Sequence, residues 1–416
     1  AVEGKNESTI DSLSAAAAGA ATGAAAGSAS SNRTSNWTIG ELVDSAITGA
    51  SANASILGLD TAIIRSLSGG AAISGSGGVG AAVSVNKINN TTDARVSGKK
   101  AASNGYEVAD LVVKGDSFAS IQTLAVGLGA GVDVGVAGSA AINLIGSNTR
   151  AHIDGGATVK ASGSVGVVAE SDDKIEVAAG AAGIGATAAG VAASTAVNRI
   201  TGTTEAYIAG ATTEVDARAN TGTGVVVDTG SLNGTVDLAG IVGGSTTSIN
   251  LAGMRQNQTI KGLAVNASAT HQVRTTAVNI AAGFYAGVGA TANVNVIGGN
   301  TRAYIDSALI NGGDNSSAGL TQQVQVKASD HAYANTFIGG VSGGLAGVGA
   351  AADVNVFSRN TLASVVGSNV HAKGRTEVGA WSTQGVSSLV VGLGAGGFAA
   401  VGTGVMAKFT SQTEAW

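Results

Sequence analysis

Four histidines are the residues best suited to proton transfer or metal binding, and their spacing supports neither. His271, His331 and His371 have no Glu or His beside them at metal-ligand spacing, and there is no cysteine in the 416 residues, so no zinc site, thiolate nucleophile or disulfide framework is expected. Asp172 and Asp173 form a carboxylate pair, but neighbours on an extended strand point to opposite faces, and glycoside hydrolysis needs two acids facing each other across a cleft. The pair, followed by Lys174, reads as a solvated turn. "GSGGVG" from Gly75 and "GLGAGG" from Gly392 match a dinucleotide-binding pattern literally, but with 65 glycines in the chain such matches arise by chance, and no strand–turn–helix unit surrounds them. Isolated fragments around Asp154 and Asp314 lack the tandem glycine–aspartate repeat of calcium-binding coils. No catalytic, cofactor-binding or metal-binding residue is therefore expected, and the protein is not expected to be an enzyme.

The elements that would position any side chain are built from small residues. Hydrophobic residues make up 44%, mostly Ala and Val, with aromatics at 3%, charged residues at 12% and no proline. Abundant Val, Ile and Thr without proline argue against disorder, and the absence of a Gly-X-Y period excludes a collagen helix. A net charge of −5 without a basic stripe argues against nucleic acid as a partner. Residues 177–197 are uncharged and long enough to cross a bilayer as a helix, yet Ala and Gly contribute little insertion energy, so no membrane span is expected.

Internal repetition is the strongest signal. An Asn is followed six residues later by Thr in "VNKINNTTDARVSG", "INLIGSNTRAHIDG", "VNRITGTTEAYIAG" and "VNVIGGNTRAYIDS", with looser copies elsewhere. Anchors fall near 35, 92, 149, 204, 256, 301, 361 and 413, so residues 1–416 read as one continuous array of about eight units of 45–60 residues. The structural positions of the repeat are Asn86, Asn143, Asn198, Asn250, Asn295 and Asn355, and, six residues after the anchor, Gly98, Gly155, Gly210, Gly262 and Gly367. Ala at +2 and Val or Ile at +4 alternate as on a half-buried strand, and the glycine suits a turn. His152, at +3, falls on a tolerant outward position.

Between these motifs run passages such as "AAGIGATAAGVAAS", where several glycines count against a helix and suit a narrow space between closely approaching backbones. The expected fold is all-β: a repetitive parallel β-solenoid with a Gly/Ala/Val core, drawn out as an elongated rod. With a rung of ~20 residues rising ~4.8 Å, about 20 rungs would reach on the order of 100 Å. The closing "TEAW" stops at anchor +3 and the opening "AVEG" supplies +4 to +6, which suggests a window cut from a longer array or a protomer that joins head to tail.

The units "AGVAASTAVNRITGTTEAYIAGATTEVDA" and "AGVGATANVNVIGGNTRAYIDSA" resemble repeats of the very large bacterial exoproteins of the leukotoxin-like filamentous adhesin type, relatives of filamentous haemagglutinin. The resemblance implies type V secretion, a secreted or cell-surface location and a long β-helical stalk or fibre. The expected function is that of an extracellular structural and adhesive repeat protein. Its partners would be a host or neighbouring cell surface, or itself through end-to-end or lateral assembly. A self-assembling filament subunit joined by strand addition is the alternative, and a β-helix polysaccharide-active enzyme a more distant one.

Overall fold

The computed structural model describes residues 1–45, 52–98, 106–234, 250–312 and 315–416, and Asp314 lies outside them. The chain winds through seven parallel rungs, each made of two long strands and, from the second rung to the sixth, one short strand. The first rung comprises β1 (Val2–Ala20), β2 (Gly23–Thr34) and β3 (Trp37–Val43), and the second β4 (Ala54–Ser74), β5 (Gly77–Ser97) and β6 (Tyr106–Val108). The third is β7 (Leu111–Gly131), β8 (Val134–Asp154) and β9 (Thr158–Ala161); the fourth is β10 (Val165–Gly185), β11 (Ala189–Ala209) and β12 (Glu214–Ala217). An insertion follows, with β13 (Val225–Leu232), α1 (Leu251–Met254) and β14 (Arg255–Ile260). The fifth rung is β15 (Gly262–Gly283), β16 (Ala286–Asp306) and β17 (Leu309–Ile310), and the sixth β18 (Gln323–Gly343), β19 (Ala346–Val366) and β20 (Asn369–Val370). β21 (Thr376–Ala395) and β22 (Phe398–Ala415) complete the stack.

The first long strand of every rung joins a seven-stranded sheet A in the order β1-β4-β7-β10-β15-β18-β21. The second joins sheet B, β2-β5-β8-β11-β16-β19-β22, and the short strands stack as sheet C, β20-β17-β12-β9-β6. This is an all-β parallel solenoid. Its rungs are larger than the sequence suggests: one repeat unit makes one rung, not two or three. Strands of 21 residues span about 70 Å, while seven strands at ~4.8 Å rise only about 30 Å, so the stack is broad and flat in cross-section.

The register revises two anchors. Thr38, not Ser35, lies opposite Thr92, and residues near 256 form no rung but belong to the insertion, whose β13 and β14 pair antiparallel. Asn250 accordingly leaves the stack and caps α1, its Oδ1 accepting from the Gly253 amide at 3.1 Å. Positive φ angles mark one common corner, where sheet B ends, at Asp44 (47°), Gly98 (87°), Gly155 (64°), Gly210 (113°), Ser307 (54°) and Gly367 (59°). Gly262 also has a positive φ, of 111°, but it opens β15 after the insertion and occupies a different corner.

At the opposite edge the long strands reverse through tight turns, and here the small-residue passages lie. A Cβ on Gly183 would sit 1.9 Å from the carbonyl oxygen of Val191, so the two sheets touch backbone to backbone. The uncharged stretch 177–197 is the end of β10, a turn and the start of β11; among the described residues no helix is long and apolar enough to cross a membrane. The interior is widest toward sheet C, where Ile56, Val113, Ile153, Val167, Ile208 and Val265 help form the largest buried cluster.

Candidate functional site: an interior ladder and three outer surfaces

The repeated asparagines meet inside the solenoid. Asn86, Asn143, Asn198, Asn295 and Asn355 are fully buried on the inward face of sheet B, and Asn32 continues the column into the first rung. Each Nδ2 donates to the next Oδ1: Asn32 to Asn86 at 2.8 Å, Asn86 to Asn143 at 2.9 Å, Asn143 to Asn198 at 3.0 Å, Asn198 to Asn295 at 2.9 Å and Asn295 to Asn355 at 2.7 Å. Hydroxyls from sheet A add cross-links, with Thr123 and Thr275 each accepting at 2.8 Å from Asn86 and Asn198. Buried amides cost free energy unless paired, so the column is a structural device that also enforces the register of every rung.

Further along the interior lies a charge pair that the sequence does not signal. Arg359 donates from Nε to Asp330 at 2.8 Å and from Nη1 to the Gly298 carbonyl at 2.7 Å, and Thr301 donates to Asp330 at 2.9 Å. Burial opposes ionisation of Asp330, yet the Arg359 guanidinium outweighs it and holds the carboxyl below its ordinary range. One rung away Arg359's position is taken by Gly299, where a Cβ would lie 2.9 Å from the guanidinium, so the glycine makes room for it. Asp173 also points inward and is buried, accepting from Ser147 at 2.9 Å with His271 Nδ1 3.1 Å away. The expected solvated turn at Asp172–Asp173 is therefore replaced by mid-strand positions in β10; alternation sends the two carboxylates to opposite sides, Asp173 into the interior and Asp172 outward, where Thr270 and the insertion's Arg255 meet it.

The outer face of sheet B near sheet C carries a polar stripe. Asp93, Arg150, Glu205 and Arg302 stack in consecutive rungs with alternating charge, Glu205 lying 3.4 Å from Arg150 and 3.5 Å from Arg302. Two residues on, His152, Tyr207 and Tyr304 stack with centroids 4.7 and 4.9 Å apart. Burial pushes both phenols up, Tyr304 to about 12. His152 does face outward, but it is only 6% exposed, because Asp93 and Asp154 grip its ring at 3.1 and 3.0 Å and Tyr207 covers its face. Burial works against its charge, and the two carboxylates outweigh that, so its pKa lies above the ordinary value.

A third cluster sits where the insertion folds back over sheet A. Val225, Val227 and Ile260 pack on Val168 and Ala264, which brings Arg255 against Asp172, with Glu170 and Asp228 each 3.9 Å away. Burial raises the Asp172 carboxyl above its usual range in spite of Arg255. His331 lies beneath the same flap, 1% exposed and without a hydrogen-bond partner on either ring nitrogen, and burial lowers its pKa. Nearby, Lys114 bridges Asp116 at 3.0 Å and Glu170 at 2.8 Å. Opposite charges thus neutralise one another across this face. Among the described residues no group of three or more acidic, His or Cys side chains is placed to hold a metal ion.

The fourth feature is a furrow on the outer face of sheet B toward the tight turns, with a volume of about 810 Å³. Its floor is Ala81, Gly138, Ala193, Ala290, Ala350 and Gly402, one from each successive rung.

Fold and surfaces together define a repetitive all-β parallel solenoid with a polar interior seam. Comparison of the chain with protein-family models, with curated proteins and with solved structures finds no match.

Proposed function

We propose that the chain is an extracellular structural and adhesive repeat element, the stalk or fibre of a bacterial surface exoprotein, which acts through length and surface without catalysis. The observation that carries this reading is the stack itself: rung after rung repeats in register around one asparagine column, which lets such a protein extend by adding units. The outer stripe of stacked rings and alternating charges supplies a contact surface for a host or neighbouring cell. The likeness of the repeats to filamentous adhesins of the type V kind agrees with an exported location, and nothing in this reading requires a cofactor, nucleic acid or a membrane-spanning segment. The test is antibody labelling of intact source cells, with antibody raised against the His152–Tyr207–Tyr304 stripe. Labelling without permeabilisation is the expected result, and labelling only after permeabilisation overturns the reading.

A second reading, a filament subunit that joins head to tail, draws on the outermost strands. Among the described residues β1 and β21 in sheet A and β2 and β22 in sheet B are each paired on one side, and a strand edge of this kind accepts a further strand. Negative-stain images at two protein concentrations separate the two readings: fibres that lengthen with concentration favour the filament.

A further inference from the structure

The outer face of sheet B changes character from one lateral half of the solenoid to the other. Toward sheet C the arrangement is the usual one, with Ala94 and Val96 pointing inward and Asp93 and Arg95 outward. Toward the tight turns the outer face turns apolar: Val83 and Val85 face out, while the interior mixes fully buried Ser84 and Asn86 with buried alanines such as Ala82, Ala137 and Ala192. The fifth rung repeats this with Thr291 and Asn293 inside and Ala292 and Val294 outside. In all seven rungs of sheet B, the four outward columns that in β5 run from Val79 to Val85 contain no charged residue. Val79, Val83, Val288 and Val348 are 39–46% exposed on this face. A flat apolar sheet face left in water is an aggregation hazard, so a face of this extent implies a cover.

We infer that the cover is a second copy of the same chain, docked face to face on sheet B. Four columns about 7 Å apart and strands about 4.8 Å apart make a surface of roughly 900 Å², close to the ~800 Å² each partner buries in a stable interface. The relief is self-complementary. The Val79 and Val85 columns stand as two ridges, and the small-residue floor between them is wide enough to take one ridge of the opposing copy. A two-fold arrangement seats the Val85 ridge of each copy in the furrow of the other, an isologous contact that closes at two. Another copy repeats with the same spacing along the stack, so that each rung finds the same partner at each step, as in a dry zipper between sheets. The charged columns begin just beyond, at Lys87 and Arg199, and form a wet rim. The inference rests on reading the protein as a structural element and specifies how its stacks associate sideways.

Sedimentation velocity on the full chain over a wide concentration range tests it. The wild type is expected to form a discrete dimer. Ala193→Glu and Ala290→Glu, on the exposed floor, are expected to raise the concentration needed for dimerisation by about a hundredfold, because a charge would be left unpaired in an apolar contact. Ser358→Glu, outward on the polar half, is expected to leave dimerisation unchanged, and circular dichroism should show the same strand content in all four proteins. A wild type that stays monomeric throughout, or a dimer indifferent to both floor substitutions, overturns the inference. Co-flotation of the wild type with neutral phosphatidylcholine vesicles, abolished by Ala193→Glu, also overturns it and assigns the face to lipid. Failure of pairing leaves the cell-labelling result untouched, so the two readings fail separately.

Discussion

At the scale of single residues, the molecule relies on polar side chains satisfied by their counterparts one rung away. Truncating Asn198 removes two ladder bonds and the contact with Thr275, leaving the buried Asn143 Nδ2 without its acceptor and Asn295 Oδ1 with Thr275 as its remaining donor. Asn198→Ala should therefore destabilise by about 2–3 kcal/mol in denaturant titration, whereas Asn250→Ala, at an exposed cap, should cost about 1 kcal/mol or less. Equal effects would mean the column is ornamental. Two histidines make a paired prediction in pH. His152 has a raised pKa, so its stabilising contribution is complete below the unfolded value of about 6.5 and is lost as pH climbs through the folded value. His331 has a lowered pKa; as pH falls below about 6.5 the unfolded chain takes up a proton that the buried ring refuses, and stability drops. Ring-proton NMR should show His152 titrating at higher pH than His331. His152→Gln should flatten the loss of stability on the alkaline side and His331→Gln that on the acid side; the reverse order would contradict the geometry of both sites.

At the scale of elements, backbone proximity separates one glycine from another. Gly183 faces inward where the sheets touch, and a methyl there would collide with the Val191 carbonyl, which cannot rotate away. Gly138 faces the outer furrow with nothing within 4 Å of an added Cβ. Gly183→Ala should cost about 3 kcal/mol, and Gly138→Ala should change stability by less than about 0.5 kcal/mol, read as shifts in unfolding midpoint. What the sequence discloses at this scale is uneven. The asparagine and corner-glycine positions are legible because identical residues recur at one offset, and a column of identical residues is what stacking rungs demand. Asn250 misleads because its local spacing copies the motif while the residues after it form a helical turn and a strand antiparallel to β13. Arg359 and Asp330 are invisible to repeat comparison, since the site opposite Arg359 is Gly299 and their partnership crosses the interior between sheets.

At the scale of the whole molecule, fold class and rung direction are readable from period-two alternation, but the length of a rung is not. Alternation carries no stop signal. The tight turns at Gly75–Ser76 and Ala186–Ala188 use the same small residues as the strands around them, so two 21-residue strands look like several short ones. The asparagine column has one more consequence at this scale. From Asn86 to Asn295 every side-chain amide in it is oriented alike, nitrogen toward the following rung and oxygen toward the preceding one. Their dipoles add along the seam as peptide dipoles add along a helix, giving the stack an electrical direction. Asn355 breaks the run, spending its amide on Asp353 and meeting Ala407 in the next rung. The seam therefore presents amide nitrogen in one direction and amide oxygen in the other, so the two directions along the solenoid are chemically unlike.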